Sequence, residues 1–230
     1  MNGPNNAIGW CDYTWTPITG CARDCWYCYV KRIKGYNRTP QFHPDRLQEP
    51  VKLKKPAKIF ICSTADIFGA WVMDTWIKQV LDIIKFCPQH QFLLLTKNPE
   101  RISNFPEALH QSNLWLGVTI EQQQYLPRLK TLQVLAHQYN LPRLFISFEP
   151  LFSRIDITPE QLEGIKWIII GAYTGKDAKL LRPNQSWVED LGEIAMLAGI
   201  ALFLKDNLKI YWQHLKQEFP IGGLYEQEKR

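Results

Sequence analysis

The sequence predicts one α/β domain in which a parallel sheet forms a partial or near-complete β/α barrel of the TIM-like type. The chain has 230 residues, within the roughly 200–250 that single β/α barrels often occupy. Short apolar runs alternate with longer segments of helical periodicity, which is typical of parallel strands joined by crossover helices. The number of such units, without a glycine-rich phosphate-binding motif, favours a barrel over an open doubly wound sheet.

Seven segments are predicted to be strands. Each is a short run of apolar residues that ends in small or polar residues, and such runs suit strands that are buried on both faces. The predicted strands lie within 8–15, 58–66, 91–97, 114–121, 144–150, 167–171 and 201–205.

Helices are predicted between most of these strands, because apolar residues recur there at every third or fourth position. We expect Asp74 to cap the first long helix and Gly199 to end the last one. The predicted helical segments are 74–87, 99–109, 125–139 and 187–198, with short turns at 30–35 and 159–162 and a closing helix at 210–217. Segment 36–56, rich in proline and polar residues, is predicted to be an excursion loop, and 218–230 a C-terminal tail.

The charge and hydropathy of the chain exclude few classes of function. Lys and Arg outnumber Asp and Glu by 27 to 22, a net charge of +5, which is compatible with a nucleic-acid ligand but too small to indicate one. No apolar run approaches the roughly 20 residues of a membrane span, and the first residues do not form a secretion signal. We therefore expect a cytoplasmic, monomeric protein with no membrane partner.

Three of the six cysteines, Cys21, Cys25 and Cys28, lie within eight residues at C-x3-C-x2-C spacing. Thiolates bind soft metals such as iron and zinc, and three on one short loop can converge on one site. An iron–sulfur cluster or a structural zinc ion normally takes four ligands. The spacing therefore indicates either a metal site with one open position or a zinc site completed by His43 or Cys62. The zinc alternative would make the protein a non-catalytic nucleic-acid-binding or adaptor module.

With Tyr27 included, the loop reads C-x3-C-x-aromatic-C and resembles the signature of the radical S-adenosylmethionine enzymes. Residues 19–21 and 26–29 are particularly similar to the spore photoproduct lyase branch of that superfamily. The resemblance implies a β/α barrel and a [4Fe-4S] cluster held by the three cysteines, with S-adenosylmethionine on the fourth iron. It further implies cleavage of that cofactor to a 5′-deoxyadenosyl radical and an electron donor of the flavodoxin or ferredoxin type. We expect the substrate to be DNA or RNA.

A second resemblance extends over most of the chain. Segments 62–68, 94–100, 115–121, 148–151 and 167–171 are similar to the phage Gp37/Gp68 proteins, a three-cysteine-motif family of unassigned function. This resemblance implies no substrate.

Polar residues follow almost every predicted strand, at the end where β/α barrels build their active sites. Some of them could simply cap the helices that follow. Charged residues are harder to explain as caps, because a charge that ends an apolar strand must be solvated, paired or functional. We expect Glu149 to contact the cofactor or the substrate, or to pair with Lys205. The candidate catalytic residues are Glu121, Glu149, Lys205 and Tyr173.

S-adenosylmethionine carries a carboxylate, an ammonium group and a ribose diol, so its site needs a cation and a carboxylate. Lys97 is the candidate for the cofactor's carboxylate, and Asp66 or Glu121 for its ammonium or ribose. Ser63 and the Thr96-Lys97 pair resemble a serine and a Thr-Lys sequence of spore-lyase-like enzymes. The predicted cofactor-binding residues are Tyr27, Ser63, Asp66, Thr96, Lys97 and Glu121.

Overall fold

Strands and helices alternate along most of the chain. The computed structural model describes residues 1–3, 8–141 and 143–220. Its strands and α-helices, in chain order, are β1 (Tyr13–Trp15), β2 (Ile18–Thr19), β3 (Gln41–Phe42), α1 (Glu49–Lys52), β4 (Lys58–Ile61), α2 (Asp74–Phe86), β5 (Gln91–Thr96), α3 (Pro106–Leu109), β6 (Leu114–Thr119), α4 (Pro127–Tyr139), β7 (Leu144–Phe148), β8 (Ile165–Ile170), α5 (Gln185–Leu197) and β9 (Ala201–Leu204). Short 3-10 helices lie at Tyr29–Arg32, Pro44–Arg46, Pro99–Asn104, Gln123–Tyr125, Glu160–Leu162 and Asp206–Leu208.

One seven-stranded sheet contains β1 and β4 to β9, and each of these strands pairs in parallel with its neighbours in chain order. The first and last strands, β1 and β9, are the two edges of this order. The sheet therefore curls into a partial β/α barrel that is open on one side. The predicted fold class and all seven predicted strands are confirmed.

The two faces of the sheet bury different side chains, because successive residues of a strand point to opposite sides. On β8, Ile168 and Ile170 pack into the outer core with the helices, whereas Trp167 and Ile169 pack into an inner cluster. The inner cluster is largely aromatic: the ring centroid of Trp167 lies within 6.3 Å of those of Trp10, Trp115, Phe145 and Phe203. These rings fill the barrel towards the amino ends of the strands, so the polar carboxyl ends face a cavity above a closed floor.

Two helix predictions need correction. Asp74 is the first residue of α2 and follows the N-cap residue Met73; its carboxylate pairs with Arg101. The single helix predicted at 99–109 is a 3-10 helix and the short helix α3, separated at Phe105. Phe105 has φ −135° and ψ 37°, and the cause is Pro106, because a residue before proline is disfavoured in the helical conformation.

The predicted closing helix at 210–217 is wrong, because this part of the chain ends in an extended segment along β9. The amide of Leu204 donates to the carbonyl of Lys216, and the amide of Glu218 donates to the carbonyl of Leu202, both at 2.8 Å. An edge strand offers such unpaired backbone groups. Residues 221–230, most of the predicted tail, lie outside the described residues.

The predicted excursion loop at 36–56 contains regular structure. Strand β3 pairs antiparallel with β2, and α1 follows it. Within the part of the chain that the structure describes, no helix is long and apolar enough to cross a membrane.

Candidate active site

A cavity of about 930 Å³ opens at the carboxyl ends of the strands. Eleven of the twelve predicted site residues line it. The twelfth, Glu121, is buried directly behind the lining residues Tyr27 and Lys97. The eleven are Cys21, Cys25, Tyr27, Cys28, Ser63, Asp66, Thr96, Lys97, Glu149, Tyr173 and Lys205. A second cavity, of about 910 Å³ along α4, contains none of the twelve.

The cysteine loop forms one wall of this cavity. Its three thiols are half-buried and none is in a disulfide. Burial raises the pKa of the Cys21 thiol above its ordinary value. Asp24 has a left-handed backbone (φ 53°), and its carboxylate lies 2.8 Å from the amino group of Lys31 and 2.8 Å from the guanidinium of Arg38. These ion pairs tie the loop to the segment that follows it.

Gly20 determines how closely that segment can approach the loop. Its φ is 81°, and a Cβ atom there would lie 2.1 Å from the carbonyl oxygen of Thr39. The amide of Gly20 donates to the hydroxyl of Tyr36, which in turn donates to the carbonyl of Thr64. Glycine is therefore required just before the first cysteine, both for backbone conformation and for space.

The donor set suits a cluster by its chemistry. Among the described residues, no three His, Cys, Asp or Glu side chains stand close enough together to hold a metal ion. In a four-iron cluster each thiolate binds a different iron, so the cluster needs thiols that share one face. Three soft donors on one cavity wall meet that need. Two residues were considered for completing a zinc site. The Nε2 atom of His43 lies 2.7 Å from the Thr19 hydroxyl, with which it forms a hydrogen bond. Cys62 is buried at the end of β4.

Glu121 is the centre of a charged network beside the cysteine loop. The Tyr27 hydroxyl donates to its Oε1, which also lies 2.9 Å from the amino group of Lys97. Arg128 lies 2.7 Å from Oε2. Burial alone would raise the pKa of Glu121, but Lys97, the Tyr27 hydrogen bond and Arg128 together hold the pKa below its ordinary value. Two cations share one carboxylate, so the network retains one positive charge, and Lys97 brings that charge to the cavity wall.

Asp66 and Thr96 connect the ends of two adjacent strands. The Thr96 hydroxyl donates to Asp66 at 2.7 Å, and the backbone amide of Lys97 donates to Asp66 at 3.0 Å. A further bond from the amide of Phe68 leaves little free acceptor capacity on this carboxylate. Both residues were predicted to bind cofactor, and their observed contacts also position Lys97.

The lining of the cavity contains a further ion pair. Lys205 pairs with Glu149 two strands away, across Gly171 at the end of β8. A Cβ atom on Gly171 would lie 3.0 Å from Lys205 and 3.1 Å from Glu149, so the glycine makes room for the pair. Tyr173 continues this wall towards the mouth.

Several buried polar atoms of the cavity wall have no hydrogen-bond partner among the described residues, although Arg23 Nε lies 3.8 Å from the Asp66 carboxylate. Within the described residues they are Trp10 Nε1, Arg23 Nε, Thr64 Oγ1 and Ser147 Oγ. Buried polar groups are normally hydrogen-bonded, so this wall has unused capacity for a polar ligand.

Three residues around the cavity, Arg128, Trp26 and Phe152, were not predicted as site residues. A signal for Arg128 was its place in the first turn of a helix, where a cation is unfavourable unless another charge holds it. Trp26 stacks on Phe152, with ring centroids 4.8 Å apart. Nothing in the sequence brings these two rings together, because the contact depends on how the barrel folds.

A family model described as a protein of unknown function (DUF5131) matches residues 5–218. The chain belongs to this family. No curated protein matches the sequence significantly. The phage family name suggested by the sequence is not confirmed.

Solved structures that resemble this DUF5131 member include several of spore photoproduct lyase. A cysteine-to-serine variant aligns with a TM-score of 0.65 and 13% identity, covering 89% of this chain and 79% of that chain. A variant with bound AdoMet and dinucleoside spore photoproduct gives 0.63 and 13%, covering 85% and 76%. A third, with dinucleoside spore photoproduct, gives 0.62 and 14%, covering 82% and 74%. The likeness shows that this DUF5131 chain shares the partial-barrel fold of spore photoproduct lyase.

Proposed function

We propose that this protein is a radical S-adenosylmethionine enzyme with a [4Fe-4S] cluster on Cys21, Cys25 and Cys28. The observation that carries the proposal is the shared cavity: the three thiols and the predicted cofactor ligand Lys97 face the same space above the barrel floor. When bound, such a cluster supplies the electron that cleaves S-adenosylmethionine to a 5′-deoxyadenosyl radical. An electron donor of the flavodoxin or ferredoxin type would provide that electron.

The protein's own residues bind and orient the cofactor in this proposal. Lys97 binds the cofactor's carboxylate, since the charged network leaves one positive charge at this wall. Glu121 fixes the position of the Tyr27 ring by accepting a hydrogen bond from the Tyr27 hydroxyl. Ser63 lies at the end of β4 on the same cavity, and its carbonyl accepts a 2.9 Å hydrogen bond from the Tyr29 hydroxyl.

The other side of the cavity is proposed to hold the substrate. Ser147 offers a buried hydroxyl there that has no hydrogen-bond partner in the described part of the chain, and the Glu149–Lys205 pair offers an acceptor beside a donor. We propose nucleic acid as the substrate, in repair or modification. The fold shared with an enzyme solved with dinucleoside spore photoproduct supports this choice, and the net charge of +5 is compatible with it.

Anaerobic purification and reconstitution test the proposal directly. We expect brown protein with about four irons per chain, and formation of 5′-deoxyadenosine when S-adenosylmethionine and a strong reductant are added. Colourless protein with one zinc per chain would overturn the proposal in favour of the zinc-binding alternative.

A matched pair of cysteine variants sharpens this test. Cys25→Ala removes a proposed ligand and should abolish cluster assembly, whereas Cys87→Ala changes a buried thiol at the end of α2 and should retain it. A full iron complement in Cys25→Ala would contradict the ligand assignment.

A further inference from the structure

An aromatic cluster lies at the rim of the cavity. The Trp26 side chain is 58% exposed although it stands next to a buried pocket. Its ring stacks on Phe152 at 4.8 Å and contacts the rings of Tyr27 and Tyr173 at 5.5 and 5.9 Å. Because Tyr27 and Tyr173 line the cavity itself, Trp26 sits immediately outside its mouth.

The neighbouring rings hold Trp26 in a fixed orientation. Phe152 covers one face of the indole, with an interplanar angle of 29°, so the exposed area lies mainly on the other face and the edge. The amide of Phe152 donates to the carbonyl of Glu121 at 2.8 Å, which ties the supporting ring to the end of β6. A large aromatic face that is ordered yet open to solvent is typical of a binding surface.

Two basic segments flank this ring. Segments 29–38 and 173–182 meet where Arg32 donates to the carbonyl of Thr174 at 2.9 Å. They carry one carboxylate, Asp177, against seven cations, although the whole chain has a net charge of only +5. The seven, all at least partly exposed, are Lys31, Arg32, Lys34, Arg38, Lys176, Lys179 and Arg182. Asp24 compensates part of this charge through Lys31 and Arg38.

We infer that this rim binds an unpaired nucleotide of a nucleic-acid strand, with its base stacked on Trp26 and its phosphates held by the two basic segments. This inference rests on the proposed function and specifies its substrate. Stacking needs a free base face, which a base within a duplex does not have, whereas a single strand or an extruded nucleotide does. A base stacked on Trp26 would place the adjacent nucleotide of the strand at the mouth of the cavity. Ser147 and the Glu149–Lys205 pair line this cavity further in.

Binding of a labelled oligodeoxythymidine strand of about ten nucleotides to the reconstituted protein tests the inference. We expect Trp26→Ala to weaken binding about fivefold to a hundredfold, and Trp26→Phe to recover most of this affinity because it keeps a stacking ring. Phe86→Ala is the matched control: Phe86 is also an exposed aromatic residue, at 71%, but it ends α2 at the opposite end of the barrel.

The salt dependence of binding tests the phosphate contacts. Replacing both Lys176 and Lys179 by Ala should make the negative slope of log affinity against log salt shallower. We expect a change of about 0.7 for each phosphate that these side chains neutralise. The corresponding change of Lys130 and Lys166, on the far side of the molecule along α4 and β8, should leave the slope unchanged.

Three results would overturn the inference: unchanged binding by Trp26→Ala, a blunt duplex bound as tightly as the single strand, or rim variants that no longer bind an acidic redox protein but still bind the oligonucleotide. The binding experiment does not use cofactor cleavage as its readout. A protein that takes up no iron on anaerobic reconstitution but binds the strand through Trp26 would refute the proposed function and leave the rim assignment intact.

Discussion

Glu121 holds side chains from three parts of the chain around one carboxylate, and it is only 1% exposed. Lys97 and Arg128 neutralise it, and Tyr27 donates a hydrogen bond to it. Glu121→Gln would keep the shape and leave two adjacent cations without their counter-ion. Breaking a buried pair in this way costs about 3–5 kcal/mol. Lys97 and Arg128 retain some contact with water, so we expect the lower end of that range.

Thermal unfolding measures this destabilisation. At about 2–4 °C per kcal/mol for a chain of this size, the melting temperature of Glu121→Gln should fall by about 6–12 °C. Glu107→Gln, at an exposed position of α3, is the control and should melt like the parent protein. An unchanged melting temperature in Glu121→Gln would show that the network contributes no stability.

Lys97 should act on the cofactor without holding the fold. If Lys97 is replaced by Ala, Glu121 keeps Arg128 and Tyr27 as partners, so the cluster and the fold should persist. A hydrogen bond between charged groups contributes about 1.5–3 kcal/mol, so the affinity for S-adenosylmethionine should fall about tenfold to a hundredfold. Calorimetry measures the affinity of Lys97→Ala for S-adenosylmethionine, with the variant Lys166→Ala, at an exposed position, as the control. Equal affinities in the two variants would show that Lys97 does not bind the cofactor.

The sequence indicates strand-end residues of this site better than helix residues. Lys97 and Glu149 could be predicted because a charge directly after an apolar strand is conspicuous. Arg128 was missed, since its place in the first turn of α4 is a weak signal by itself and only the fold brings it to Glu121. The pairing of Lys205 with Glu149, one of the alternatives expected from the sequence, is observed.

Among the elements, the cysteine loop depends on a single glycine for its position. Gly20→Ala would add a methyl group 2.1 Å from the Thr39 carbonyl and place a side chain at φ 81°. The left-handed conformation alone costs about 1–2 kcal/mol, and here the backbone of 39–40 must also move. We expect reduced iron incorporation with little change in the secondary structure seen by circular dichroism.

Comparison with Gly35→Ala separates the effect of backbone strain at Gly20 from the effect of the steric clash with Thr39. Gly35 also has a left-handed backbone, with φ 75°, but among the described residues no atom apart from its chain neighbours lies within 4 Å of its would-be Cβ. Its substitution should cost only the conformational strain and leave iron binding intact. If both variants bind equally little iron, the close approach at Gly20 is not what positions the loop.

Apolar periodicity predicted the strands of the sheet more reliably than it predicted the secondary structure of the segments between and after them. The strands follow from buried runs such as 165–170, whose two faces enter different cores. The break at Phe105 follows from the proline after it, a local rule that periodicity overlooks. The extended C-terminal segment could not be predicted from its own residues, because its partner is an edge strand that exists only after the sheet has formed.

At the scale of the whole molecule, the partial barrel has two edge strands, β1 and β9, and a floor of aromatic rings. The C-terminal segment covers part of the β9 edge through Lys216 and Glu218. It also reaches the floor: the indole of Trp167 donates to the carbonyl of Glu218 at 3.0 Å, and the amino group of Lys58 lies 3.5 Å from the centre of the Phe219 ring. Lys58 begins β4, next to the other edge strand, so this segment joins the two sides of the opening.

Removing residues 216–230 should therefore destabilise the barrel and expose β9. The deletion removes a buried indole hydrogen bond, worth about 1 kcal/mol, a cation–π interaction of about 0.5–2 kcal/mol, and the two backbone bonds to β9. We expect the free energy of unfolding to fall by about 3 kcal/mol or more in denaturant titrations. Self-association should also rise with concentration in light scattering, because an exposed strand edge pairs with other chains. The matched control ends at Pro220 and keeps every one of these interactions; equal stability and equal scattering of the two truncated proteins would show that the segment does not close the barrel.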